Sequence, residues 1–151
     1  MRSITTTSVI TASRSAVWAV LADFPNVADW NTGVKKSFST SDTDNGVGAQ
    51  RHCDIAPAGE LSETIQKWEP DTMMAISIDS AKKMPIKSAL GTFTLEDDGE
   101  STSVRLDFEY RPRFGPIGKL FGPLLDKQFA KSFDGYMTDL QAAVHAAAPS
   151  H

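Results

Sequence analysis

The sequence predicts an α+β fold in which a curved, seven-stranded antiparallel sheet wraps around a long C-terminal helix, with two short helices after the first strand. Three observations predict this architecture. Segments rich in β-branched and aromatic residues follow one another between turn signals over most of the chain. Two short stretches with helical spacing follow the first of these segments. One long apolar stripe at helical spacing lies near the C-terminus.

The first strand and the two short helices are predicted within residues 3–30. Residues 3–11 are rich in Thr, Ile and Val, which favours a strand. Ser13 stands where a helix N-cap is expected, because its hydroxyl oxygen can accept from the free N–H groups of a first turn. Residues 23–30 predict a second short helix, in which Pro25 is tolerated because the first turn loses no intrahelical bond there.

Six further strands are predicted as a meander, because Gly, Pro, Asn or Asp separates each segment from the next. The alternation is clearest in the last segment, where apolar Val104, Leu106 and Phe108 alternate with charged residues. Such alternation is typical of an antiparallel strand with one buried face. The predicted strands are residues 34–41, 48–55, 60–68, 72–79, 86–95 and 102–110.

Residues 123–147 predict one long helix that packs on the sheet. Pro123 fits its first turn, and Asp126 lies near the positive end of the helix dipole. Each large apolar side chain that this helix buries would contribute roughly 1.5–3 kcal/mol. The stripe expected to face the sheet is Leu124, Leu125, Gln128, Phe129, Ser132, Phe133, Tyr136, Met137, Leu140 and Val144.

Composition limits the class of protein. The chain has 151 residues, 40% hydrophobic and 23% charged, which predicts one globular domain over residues 1–151. Basic residues are scattered and the net charge is −4, so we expect no nucleic-acid partner. Cys53 is the only cysteine and cannot form an internal disulfide. The N-terminal segment has no signal-peptide pattern and no stretch is long enough to span a bilayer, so we expect a cytoplasmic protein without stable membrane association.

The order of elements and several local segments resemble one known superfamily. Segment SVITASRSAVWAVLADFPNVADWNTGV resembles its opening strand, its Trp-containing helix and the Trp turn that follows. Segments VGAQRHCDI, ETIQKWEPDTMMAISI and GTFTLEDDGESTSVRLDFEY are similar to its later strands. The superfamily is the START-like, or SRPBCC, group, of the polyketide cyclase/dehydrase and lipid-transport type. The resemblance implies a helix-grip fold with a cavity for a hydrophobic ligand, and says little about function because it rests on packing and turn positions.

Apolar and aromatic side chains between the sheet and the long helix are candidates for ligand contacts. Long Met and Phe side chains around a gap suit apolar ligands of variable shape. Each of these residues could equally be plain core, which is where such side chains usually lie. The candidates are Trp30, Met74, Ile76, Phe93, Leu106, Phe108, Tyr110, Phe121, Leu125, Phe129 and Phe133.

Metal and nucleophile sites are not predicted. His52 and Cys53 are adjacent on a strand, so their side chains point to opposite faces and cannot converge on one ion or form a dyad. No CxxC or HxxxH spacing is present. We therefore expect no metal and no cofactor, and we expect Cys53 to be a small buried residue.

Three polar residues are weak candidates for acid–base chemistry. Strand parity places Arg51, Glu63 and Tyr110 on the same faces as apolar neighbours, so all three are expected to point inward. A carboxylate beside an arginine and a phenol could orient a carbonyl or transfer a proton. A structural ion pair near the sheet's rim is the alternative.

The segment RPRFGPIGKLFGPLL, residues 111–125, has two functional interpretations. Pro and Gly are common chain breakers, so the segment is first of all expected to be a stiff connector into the long helix. The alternative is a gate over the cavity mouth, with nearby cations facing an acidic ligand or a membrane surface. The gate would consist of Phe114, Ile117, Leu120 and Phe121.

Three functions remain open, in this order. The first is binding of a lipid, polyketide or related apolar metabolite, as a carrier or sensor. The second is an enzyme of the cyclase, aromatase or dehydratase type that uses the polar cavity residues. The third is a protein-interaction module with an unidentified partner.

Overall fold

The computed structural model describes residues 1–57, 59–113 and 115–147, and its strands form one antiparallel sheet in the order β1-β7-β6-β5-β4-β3-β2. The last six strands form a meander, as predicted. The first strand of the chain, β1, pairs with the last one, β7. The bounds are β1 Arg2–Ile10, β2 Val34–Ser39, β3 Gln50–Ile55, β4 Glu60–Glu69, β5 Met73–Lys82, β6 Ile86–Asp98 and β7 Ser101–Pro112.

Helices occupy the positions that the sequence predicts, with one addition. Helix α1 (Arg14–Ala22) begins after Ser13, whose Oγ accepts from the Ala16 N–H at 3.1 Å. The second short helix, Phe24–Asp29, is of the 3-10 type and has Pro25 at its start. The additional helix is α2 (Gly115–Leu120), where a connector was expected, and the long helix α3 spans Gly122–Ala147. Pro116 lies in the first turn of α2, where proline is tolerated.

Strand β7 shows why one face of the sheet covers the core. Val104, Leu106, Phe108 and Tyr110 are all buried, whereas Arg105 is exposed. The alternation predicted for this strand is therefore confirmed. On the concave face, buried residues of α1 and the C-terminal half of α3 join those of the sheet in the main core, which includes Val17, Trp18, Leu21, Met74, Val104, Met137, Leu140 and Val144.

The sheet curves because its strands are irregular. Strand β4 shifts register against β5 between Ser62 and Glu63, and again between Ile65 and Lys67. Strand β2 shifts against β3 between Val34 and Lys36. Such bulges bend a strand and increase its twist.

A polar cluster fixes the first turn of α3 to the sheet. Arg2 on β1 donates to Asp126 through Nε at 3.1 Å and through Nη2 at 2.7 Å, and the Tyr110 hydroxyl donates to Asp126 Oδ1 at 2.5 Å. Gly122 leaves room for this contact, because a Cβ at this position would displace the guanidinium of Arg2. The hydrogen bonds from Arg2 hold the pKa of Asp126 below its ordinary value.

Among the helices of the described residues, none has both the length and the apolar character that crossing a membrane requires.

We expect Leu140→Ala to lower the free energy of unfolding by about 2–5 kcal/mol, because Leu140 is fully buried between α3 and the sheet. Lys131→Ala on the exposed side of the same helix is the control and should change it by less than about 0.5 kcal/mol. Urea denaturation followed by circular dichroism measures both. Equal midpoints for the two variants would contradict the packing described here.

We expect the stabilising effect of Asp126 to depend on pH. A carboxyl whose pKa is lowered by folding stabilises the fold above its ordinary pKa of about 4, and this effect disappears as the pH falls through the lower folded value. The difference in unfolding free energy between the wild type and Asp126→Asn should therefore be constant above about pH 5 and shrink below about pH 4. Urea denaturation across this range tests the prediction, and a difference that grows on acidification would refute it.

Candidate functional site

A cavity of about 240 Å³ lies between the concave face of the sheet and the middle of α3. Its walls come from the 3-10 helix, from the inward faces of β2 to β7 and from about two turns of α3. Six of the apolar residues that the sequence nominated lie in these walls, namely Ile76, Phe93, Leu106, Phe108, Phe129 and Phe133. The hollow on which the ligand-binding hypothesis depends is therefore present.

The other nominated residues lie outside the cavity walls. Met74 is fully buried in the main core, and Trp30 packs edge-on against Tyr136 at 5.1 Å between ring centroids. Leu125 packs in a smaller apolar cluster, and Phe121 is half exposed. Strand and helix parity predict which face a residue occupies, but not how far along that face the cavity extends. For the same reason Leu124, expected in the buried stripe, is 64% exposed.

Arg51 and Glu63 form a buried ion pair in the cavity wall. They are directly opposite each other on β3 and β4, and the guanidinium meets the carboxylate at 3.1 Å (Nε to Oε1) and 3.4 Å (Nη2 to Oε2). Nη1 of Arg51 also donates to the Phe24 carbonyl at 2.8 Å, and the guanidinium carbon lies 3.9 Å from the centroid of the Phe24 ring. Both side chains are nearly fully buried, so the predicted inward orientation is confirmed.

Cys53 is inert because it is buried and lies beside Glu63 of this pair. Its thiol is buried and donates to Oε1 of Glu63 at 3.3 Å. Burial, and then the charge of Glu63, raise the pKa of Cys53 to about 12. A thiol protonated at neutral pH is a poor nucleophile. Cys53 is therefore the small buried residue that the sequence predicted.

Tyr136 is the phenol that lies near this ion pair, and the sequence did not nominate it as a site residue. Its side chain lines the cavity, and its ring stacks on Phe93 at 5.5 Å between centroids. Burial raises its pKa, Arg51 opposes the shift and Glu63 adds to it, so the hydroxyl is neutral and near both charges. One signal could have identified it, since Tyr136 follows Phe129 and Phe133 at helical spacing on the same stripe.

Tyr110 does not join Arg51 and Glu63, which corrects its grouping with them. It is buried, as parity predicted, but its hydroxyl donates to Asp126, which also accepts from Arg2. Burial, and then Asp126, raise the pKa of Tyr110 to about 12. Tyr110 therefore fastens α3 to the sheet.

The mouth of the cavity is bordered by wall residues that also meet solvent. Gly33, Ala56 and Ser132 line the cavity and are exposed. Met84 lines it as well and packs against Gly59, where an added Cβ would lie 2.9 Å from Met84 Cγ and the backbone has a φ of +150°. A flexible Met side chain at the mouth can move aside for a guest.

The proposed gate does not cover this mouth. Ile117, Leu120 and Phe121 are exposed, at 61, 76 and 50%, and none of them lines the cavity. Phe114 lies outside the described residues. The cations of this region border a separate, open depression of about 1040 Å³, lined in part by Arg2, Lys87, Arg111 and Arg113.

His52 lies on the outer face of the sheet, opposite to Cys53, as predicted. Its Nε2 is 2.8 Å from Asp54 Oδ1 and 3.6 Å from Glu60 Oε1, and its ring stacks on Phe38. The nitrogen and the two carboxylates lie within 4.8 Å of one another. The spacing of Cys and His residues does not predict this group. Cross-strand pairing brings Glu60 opposite Asp54, which no local spacing reveals.

Comparison with known proteins identifies the fold as the START-like helix grip. A START superfamily protein from Mycobacterium smegmatis superposes with a TM-score of 0.82 at 14% identity, covering 97% of this chain and 99% of that one. A protein of Thermus thermophilus gives 0.83 at 16% identity, covering 98% and 100%. The Zhui aromatase/cyclase from a Streptomyces species gives 0.78 at 16% identity, covering 95% and 93%.

The chain belongs to the family described as polyketide cyclase / dehydrase and lipid transport, whose family model matches residues 1–145. This result confirms the resemblance drawn from the sequence. Comparison with curated proteins returns no match. At identities of 14–16% the structural similarities establish the fold alone.

We expect Glu63→Gln to lower the free energy of unfolding by about 3–5 kcal/mol, because it leaves the Arg51 charge buried without its partner. Asp107→Asn is the control, since the Arg105–Asp107 pair is exposed and should contribute little. The pKa of Cys53 should also fall, because Glu63 raises it through its charge and its hydrogen bond.

Urea denaturation and the pH dependence of Cys53 alkylation measure these two effects. In the wild type the native thiol should react slowly under mildly alkaline conditions and fully after unfolding. A Glu63→Gln protein as stable as Asp107→Asn, with an unchanged thiol profile, would show that the ion pair contributes nothing.

Proposed function

We propose that the protein binds a hydrophobic small molecule in the cavity between the sheet and α3, as a carrier or sensor. The observation that carries the proposal is the cavity itself, enclosed largely by apolar side chains and open to solvent. Family membership supports it, because the family's description includes lipid transport. Action in the cytoplasm, without nucleic acid and without stable membrane attachment, is part of the same proposal.

The polar groups of the wall support binding more than catalysis. Glu63 accepts from Arg51 and from the Cys53 thiol, so its oxygens already have partners. Arg51 is likewise tied to Glu63 and to the Phe24 carbonyl. Polar groups that are held in this way can orient a guest, and they keep their hydrogen bonds to one another when the guest leaves. Acid–base chemistry would need at least one of them to exchange a proton.

An enzyme of the cyclase or dehydratase type is the second candidate, and Tyr136 is the observation that favours it. A neutral phenol in the wall can donate a hydrogen bond to a carbonyl and promote ring closure next to it. The similarity to an aromatase/cyclase fold is compatible with this reaction class. It ranks second because ring closure also needs a base, and Glu63 is occupied.

A protein-interaction module is the third candidate, supported by one exposed apolar surface. Ile117, Leu120, Phe121 and Leu124 are each at least half exposed around the start of α3. Contiguous exposed apolar residues commonly mark an interaction surface. This surface is separate from the cavity, so an interaction there could accompany ligand binding.

We expect Gly91→Val to weaken ligand binding at least fivefold without loss of stability. Gly91 lines the cavity on β6, and the closest side-chain atoms to a Cβ there are carbons of Leu106 and Phe108, at 3.5 and 3.7 Å. Two further methyl groups would occupy the space of the guest, while valine favours a strand more than glycine does. Thr92→Val, on the opposite face of the same strand, is the matched control.

Titration with naphthalene, and native mass spectrometry after incubation with a total lipid extract, measure binding. The wild type and Thr92→Val should hold an apolar guest, and Gly91→Val should bind at least fivefold more weakly with an equal or higher Tm. Absence of any guest on the wild type would refute the proposal. Recovery of a chemically altered guest would support the enzyme.

A further inference from the structure

The volume of the cavity indicates the size of the ligand that it encloses. A cavity of about 150 Å³ is large enough for one benzene ring, so about 25 Å³ serves each non-hydrogen atom. On that scale the 240 Å³ of this cavity accommodate on the order of ten such atoms. One or two fused rings fit this volume. A lipid with two acyl chains exceeds it several times.

The walls favour a flat aromatic guest. Phe93, Phe108, Phe129, Phe133 and Tyr136 all line the cavity. Phe108 and Phe133 already meet in an edge-to-face contact at 4.8 Å between centroids, and Phe93 stacks on Tyr136. Aromatic walls of this kind accept another ring in offset or edge-to-face geometry.

The charges in the wall favour a neutral guest. The guanidinium of Arg51 and the carboxylate of Glu63 neutralise each other at 3.1 Å. A ligand carboxylate would add a second negative charge beside Glu63 in an apolar environment, without a second cation among the described wall residues. A ligand cation would likewise add a second positive charge beside Arg51. Net charge on the guest is therefore unfavourable in either sign.

The Tyr136 hydroxyl is a polar group of the wall with hydrogen-bonding capacity left for a ligand, as are the exposed Ser132 hydroxyl and the Asn31 side-chain amide N–H. Within the described parts of the chain, the Tyr136 hydroxyl has no side-chain hydrogen bond, and only burial and neighbouring charges act on its pKa. It can donate to a ligand carbonyl or accept from a ligand hydroxyl. Gly91 and Leu106 on the sheet side offer no polar side-chain atom. A single oxygen on the guest would thus be oriented toward α3.

From these observations we infer that the ligand is a compact, neutral aromatic compound of one or two rings that carries a carbonyl or hydroxyl oxygen bonded to Tyr136. This inference rests on the proposed function and narrows it. Tyr136 is then a specificity-determining residue, and diacyl lipids and carboxylic acids are excluded from the site.

Isothermal titration with four probes tests the inference: naphthalene, 1-naphthol, 1-naphthoate and vesicles of palmitoyl-oleoyl phosphatidylcholine. We expect 1-naphthol to bind about fivefold more tightly than naphthalene, the effect of one added hydrogen bond. We expect 1-naphthoate to bind at least tenfold more weakly than 1-naphthol, and the vesicles not to transfer lipid to the protein. Retention of lipid after gel filtration measures the last effect.

Two variants assign the effect to one hydroxyl. Tyr136→Phe should bind 1-naphthol only as well as naphthalene, while its unchanged affinity for naphthalene shows that the cavity is intact. Thr92→Val, on the outer face of β6, leaves the cavity walls unchanged and should keep the fivefold difference.

The outcomes separate this inference from the proposed function. Equal binding of naphthalene and 1-naphthol, tighter binding of 1-naphthoate, or uptake of the phospholipid would overturn the inference and leave an apolar-ligand function in place. A difference that persists in Tyr136→Phe would also overturn it. Failure of all four probes to bind would refute both.

Discussion

The long helix α3 is attached to the sheet at its two ends, and the cavity depends on these attachments. Near the C-terminus, Leu140 and Val144 are fully buried in the main core. At the first turn, Asp126 is fixed by Arg2 and Tyr110 from two strands. Between these attachments the helix contacts the sheet through aromatic side chains, and Phe129, Phe133 and Tyr136 also line the cavity. Weakening either end would let the helix settle onto the sheet or leave it.

Each attachment requires particular residues around it. Gly122 leaves room for the approach of the Arg2 guanidinium to α3. The curvature of the sheet comes from register shifts in β2 and β4, and Glu63 immediately follows one of them. A bulge therefore both bends the sheet and sets the position of the carboxylate that neutralises Arg51. The shape of the cavity and its electrostatic balance have one structural origin.

The sequence predicts faces well and distances poorly. Alternation in β7 and the stripe of α3 correctly place Phe108, Phe129 and Phe133 toward each other, because side-chain direction follows from local backbone geometry. The separation of Tyr110 from Arg51, and the proximity of Tyr136 to it, depend on sheet curvature and on where α3 is attached. Sheet curvature and the position of α3 result from small backbone irregularities at many residues, which no local pattern shows. The pairing of Asp54 with Glu60 across two strands is non-local in the same way.

The cavity also bears on why the protein would bind anything. The wall side chains that face the cavity lack the contacts that a packed interior would give them. The total stability of a domain this size is only about 5–15 kcal/mol. Larger side chains in the wall would fill the cavity. The wall nevertheless contains a glycine, Gly91, in the middle of β6. A guest restores the missing contacts and stabilises the fold by mass action. Ligand binding and folding are therefore coupled through the same volume, which a purely structural interior would not require.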